Sequence, residues 1–183
     1  MAATRTRRRW TALSDERLLD LRFCDLGLTL ERSALQARVD ELWHELADRD
    51  LRLRPHVWLS TEWFSPEGVP GIALPFYLAH PRLERLEQAM MLEVEGGSHE
   101  ECMAILRHES GHCAQHAWRL HRRGEWRRVF GDTRRAYPSV YRPNPASQRF
   151  VQHLRQYYAQ AHPDEDFAET FAVWLTPRSA WKR

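Results

Sequence analysis

Residues 106–116 read LRHESGHCAQH, which puts three histidines and one glutamate into eleven positions of a segment with helical patterning. On a helix His108 and His112, four residues apart, project from one face about one turn from each other. Two imidazoles at that spacing can bind a single zinc ion at about 2.0–2.1 Å. Glu109 leaves such a helix at a different angle, beside the ion instead of on it, where it can take a proton from an attacking water. The competing explanation is a solvated helix face in a chain with ten histidines. If the pair does bind metal, a third ligand must arrive from a distant segment, and the chain must fold back to bring it.

His116 does not supply that ligand. It lies eight residues beyond His108, about 12 Å further along the same helix, and no glycine follows His112 to turn the chain before it. It is assigned to the surface or to packing. Cys113 points about 100° away from His112 and reads as a small buried side chain. Downstream, HPDEDFAETFAVWL (162–175) carries Glu165 and Glu169 on one helix face, while Phe167, Phe171 and Trp174 can point into a core. Acids in a first helical turn complement the helix dipole, which accounts for Asp164 and Asp166. Glu165 alone would read the same way. Paired with Glu169 and the upstream histidines, it becomes a candidate ligand.

The rest of the chain frames these two segments. Ser14 can cap a short helix carrying Leu18, Leu19 and Leu21. Leu35, Val39, Leu42 and Leu46 mark one face of a stronger helix at about 31–48. Two aromatic, β-favouring runs, at 56–64 and 71–78, read as strands joined by a turn region, with Pro75 suiting an edge strand. His80 and Pro81 open a helix with Leu83, Leu86 and Met90 on one face. Ser98 and Glu101 form a capping-box pattern at the head of a long helix of about 99–121, which Gly124 closes. Residues 137–146 hold three prolines and should be an irregular ordered loop. Ser147 should start a helix with Phe150, Leu154, Tyr157, Tyr158 and Ala161 along one stripe, and His162–Pro163 a last helix ended by Pro177. This is an α+β pattern, mostly helical with a small sheet, expected as a single unit over 1–183: N-terminal helices in 1–50, the sheet in 56–78 and the metal-site helices in 99–177.

Composition excludes other classes. No run of about 18 apolar residues exists, so no membrane span is expected. Four arginines in MAATRTRRRW have no apolar stretch behind them and make a poor signal peptide. Cys24, Cys102 and Cys113 are odd in number, and the last two are about 16 Å apart along one helix, too far for a disulfide. Free thiols without an export signal point to the cytoplasm. A second arginine-rich stretch, Arg119 to Arg135, lacks stacked aromatics and any nucleic-acid module, and reads as solvated surface.

Three separated motifs, LRHESGH (106–112), FGD (130–132) and YYAQAHPDEDFAETFAVWL (157–175), resemble those of a group of bacterial zinc-binding metallopeptidases. The similar stretch runs from about 81 to 177. A weaker similarity joins EDFA (165–168) to other glutamate zincins (gluzincins), including the lethal-factor type. The resemblance implies a zincin-like domain in which His108, His112 and Glu165 bind Zn2+ and Glu169 supports a histidine ligand from behind. It implies a peptidase acting on a peptide or protein, with Glu109 as general base. Tyr158, seven residues before Glu165, then has two readings: donor to the developing oxyanion, or core aromatic on the apolar stripe of its helix. The substrate would lie extended along an edge strand at about 71–75, and the N-terminal helices before residue 50 could cover the cleft. Gly111 would let its helix pack closely against a neighbour. The alternative is a non-catalytic metal-binding regulatory or interaction protein on the same scaffold.

Overall fold

Helix patterning is local chemistry, and most of it forms where the spacing predicts. The computed structural model describes residues 10–179; the arginines at positions 5–9 lie outside them. Short helices α1 (Asp15–Leu19) and α2 (Phe23–Leu26) precede α3 (Leu35–Ala47). Strands β1 (His56–Ser60) and β2 (Gly71–Pro75) follow, then α4 (Pro81–Met91), α5 (His99–Ala117), α6 (Gly124–Phe130) and α7 (Pro163–Leu175). Single 3-10 turns at Trp10–Ala12, Leu30–Arg32, Phe76–Ala79, Leu120–Arg122 and Arg155–Gln160 complete the described elements. The architecture is mostly helical with one small two-stranded sheet. No described helix is long and apolar enough to cross a membrane.

The leucine face of α3 is buried as its spacing requires: Leu35, Val39, Leu42 and Leu46 form one core with Val57, Ile72 and Leu74 of the sheet, Met103 and Leu106 of α5, and Phe171 and Leu175 of α7. Truncating one such leucine to alanine costs about 2–5 kcal/mol. A second cluster joins Trp10, Leu18 and Leu26 to Leu83 and Leu86 of α4. The described N-terminal helices α1 and α2 are therefore committed to α4. Met90, expected on the buried face of α4, is 57% exposed, because that helix ends one residue later.

The sheet departs from expectation in a way that matters for the site. β1 and β2 run parallel, with His56 opposite Gly71 and Ser60 opposite Pro75. The connecting residues 61–70 pass along the other edge of β2, where the Ala73 N–H donates to the Phe64 carbonyl at 2.8 Å. Ala73 is thus flanked by Trp58 on one side and Phe64 on the other. Every residue of β2 is buried, so residues 71–75 are not a free edge.

Other boundaries also move. The Ser98 hydroxyl accepts from the Glu101 N–H as expected, but the Glu101 carboxylate pairs with Arg155. Helix α5 stops at Ala117, and Arg119 takes a positive φ of 51°. Gly124 opens α6 instead of closing the preceding helix. The helix expected from Ser147 does not form. Gln156 and Tyr157 both have positive φ, 64° and 57°, which no α-helix accommodates. The arginines between 119 and 135 are exposed, consistent with a solvated surface.

Candidate metal centre

Two helices built from distant sequence carry the site. Gly111 sits where α5 crosses α7: a Cβ there would lie 2.8 Å from the Ala168 Cα and 3.2 Å from the Phe171 Cβ. Its absence lets the two backbones approach, and offsets the cost of about 1 kcal/mol that glycine carries inside a helix. The approach sets His108 and His112 of α5 against Glu165 of α7.

Three donor atoms converge. His108 Nε2 lies 3.1 Å and His112 Nε2 3.3 Å from Glu165 Oε2, and the two imidazole nitrogens are 3.2 Å apart. Three ligands at about 2.0–2.1 Å from a tetrahedral zinc ion stand about 3.3 Å from one another. The near-equilateral triangle matches that edge length. Glu165 Oε2 is buried and accepts no well-formed hydrogen bond, as an oxygen reserved for a cation would be. The residues present therefore fit a divalent metal bound by two imidazoles and a carboxylate. His116 is not among them; its ring packs 6.1 Å from that of His121.

The electrostatics favour positive charge at the same place. Burial alone would lower the His108 imidazole, but Glu165 and Glu169 outweigh it and push it up to about 10. Burial would raise Glu165, yet the two histidines hold its carboxyl well below the usual carboxylate range. Glu169 lies behind His108: its Oε1 is 2.9 Å from Nδ1, which orients the ring with Nε2 toward Glu165. The other oxygen of Glu169 accepts from the backbone N–H groups of His153 and Leu154, at 3.1 and 2.8 Å. Glu165 thus faces both imidazoles through one oxygen, while Glu169 contacts His108 on the far side of its ring.

A cavity of about 240 Å³ opens on this triangle. Glu109 lines it, with Oε2 buried and without a hydrogen-bond partner. The Ser65 hydroxyl donates to the Glu109 carbonyl at 3.1 Å and ties segment 63–65 to α5. Trp63, Phe64 and Ser65 form one wall; Tyr137 and Tyr158 also line the cavity. Tyr158 is not on a helix stripe: its ring lies 5.8 Å from that of His108 in the turn that precedes α7. Burial and Glu165 raise its phenol to about 12, so it remains a proton donor at neutral pH. Residues of the described N-terminal helices do not line this cavity. Cys113 is buried as expected, its thiol 3.3 Å from the Gly71 carbonyl.

Tyr137, which no motif singles out, also reaches the centre. Its hydroxyl donates to Glu165 Oε1 at 2.9 Å, and its ring stacks on His162 at 3.9 Å. His162 caps α7 by accepting from the Asp164 N–H, and its Nε2 bonds the Arg135 carbonyl. No periodicity links Tyr137 to a glutamate 28 residues away; the nearest hint was an ordered proline-containing loop. Trp63 and Phe64 fall at the end of the run that reads as a strand and Ser65 in the turn region after it, so neither pattern points to the site.

Residues 99–181 match the family described as "Putative zinc-binding metallo-peptidase". The matched stretch contains His108, His112 and Glu165, with Glu109, Tyr137, Tyr158 and Glu169. No curated protein and no solved structure matches the chain.

Proposed function

We propose that this protein is a zinc-dependent peptidase with a zincin-like fold of the glutamate type. The observation that carries this reading is the triangle of His108 Nε2, His112 Nε2 and Glu165 Oε2, with the unpartnered Glu109 carboxylate beside it. The family match over 99–181 supports it independently.

His108, His112 and Glu165 would hold the ion, and Glu169 keeps His108 in the tautomer that ligates. Zinc, when bound, supplies a Lewis acid that polarises a carbonyl and lowers the pKa of water. Glu109 takes the proton of the attacking water and returns it to the leaving amine. Tyr158 lines the same cavity and donates to the negative charge that develops on the former carbonyl oxygen. The substrate lies along residues 63–65 instead of 71–75. Phe64 directs its carbonyl to Ala73, so strand alternation turns the backbone groups of Trp63 and Ser65 the other way, free to pair with an extended peptide.

The test is cleavage of a mixed peptide library by the purified protein. Cleavage abolished by chelator and restored by zinc is the expected result. A protein that binds zinc stoichiometrically and cleaves nothing is instead a non-catalytic metal-binding protein, and the peptidase reading fails.

A further inference from the structure

Glu165 has two carboxylate oxygens, and only one belongs to the triangle. Oε2 faces both imidazoles; Oε1 receives the Tyr137 hydroxyl at 2.9 Å. A carboxylate with both oxygens free can bind a cation through one or both. One whose second oxygen is occupied by a donor is held to a single bond. We propose that Tyr137 is a positioning residue for the metal, restricting Glu165 to one coordinating oxygen and so keeping the fourth position of a tetrahedral site open. The inference rests on Glu165 being a ligand.

Tyr137 is well placed for that work. Its ring stacks on His162 with planes only 15° apart, and His162 in turn holds Arg135 through its carbonyl while capping α7 three residues before Glu165. Two contacts from one tyrosine, a stack and a hydrogen bond, therefore fix the phenol to the same helix end that carries the carboxylate. The loop that carries it is otherwise solvent-facing, and Tyr137 itself is 54% exposed. A packing role alone would not require the hydroxyl.

Tyr137→Phe removes that hydroxyl and keeps the ring on His162. The experiment compares the parent, Tyr137→Phe and Glu165→Ala for zinc affinity by chelator competition, and for the visible spectrum with cobalt(II) in place of zinc. Cobalt(II) absorbs more strongly in four-coordinate than in five-coordinate sites. Tyr137→Phe is expected to bind zinc about 10–100-fold more weakly, the usual effect of losing a hydrogen bond to a metal ligand. Its cobalt spectrum should weaken as the second oxygen joins the metal. Parent-like affinity, or a spectrum that superimposes on the parent's, overturns the role of Tyr137 while Glu165→Ala still loses metal. If Glu165→Ala also binds as the parent does, the ligand assignment itself falls, and the role of Tyr137 with it.

Discussion

Glu169 joins His108 to a segment 45 residues further along the chain: one oxygen takes the imidazole Nδ1, and the other takes the N–H groups of His153 and Leu154. A single fully buried carboxylate thus orients a candidate ligand and pins the approach to α7. Glu169→Ala should therefore fail in two ways. Zinc affinity should fall about 10–100-fold. Stability in urea should drop by about 1–3 kcal/mol, because the backbone donors lose their acceptor. Glu169→Gln keeps one acceptor oxygen and should recover most of the stability but not the affinity. Equal affinity in all three proteins would contradict the outer support assigned to Glu169.

Glu109 offers the sharpest separation of metal binding from chemistry. Glu109→Gln should keep its zinc and its melting temperature while peptide hydrolysis falls by about 10²–10⁴-fold, the range of a general base. Metal analysis alongside kcat measures both. A variant that cleaves as fast as the parent shows that another group moves the proton.

Gly111→Ala asks whether the crossing of α5 and α7 sets the triangle. The new methyl would meet Ala168 backbone at 2.8 Å, so one helix must shift. Overpacking of this kind costs about 1–3 kcal/mol. The same shift should weaken zinc binding, although residue 111 touches no metal. Denaturant titration and chelator competition read the two effects, and unchanged affinity would detach the site from the helix crossing.

Arg107, next to His108, meets Glu45 of α3 through two hydrogen bonds of 2.6 and 2.7 Å, with both side chains largely buried. Removing one partner of such a pair leaves an uncompensated charge. Glu45→Ala should lower unfolding free energy by about 3 kcal/mol. Replacing both partners with apolar residues should cost much less, which a double-mutant cycle would detect.

Zinc itself should stabilise the fold, since its ligands come from two helices that must pack before they meet. At free zinc 100 times the dissociation constant, the gain is about 2.7 kcal/mol. Calorimetry with and without chelator measures it. An identical melting temperature in both would mean that the triangle does not bind zinc.

The features legible in sequence were those that depend on neighbours within a turn or two. The buried face Leu35, Val39, Leu42 and Leu46 followed from spacing, as did the shared faces of His108 with His112 and of Glu165 with Glu169. His162 and Pro163 marked the start of α7 for equally local reasons. Tertiary structure decided what depends on partners far along the chain. The stripe Phe150 to Ala161 fitted a helix, but Glu169 captured the backbone N–H groups of His153 and Leu154, and positive φ at Gln156 and Tyr157 turned the chain. The runs 56–64 and 71–78 contain the strands His56–Ser60 and Gly71–Pro75 but extend past both, into residues 61–64 and the 3-10 turn Phe76–Ala79; the parallel pairing and the placement of Phe64 against Ala73 depended on the path of residues 61–70. Tyr137 meets Glu165 through its hydroxyl and His162 through its ring, partners 28 and 25 residues along the chain. Periodicity records which side chains share a face, because a helix repeats every few residues. It records nothing about which distant donor will satisfy a given carboxylate, because that choice is made only when the elements pack.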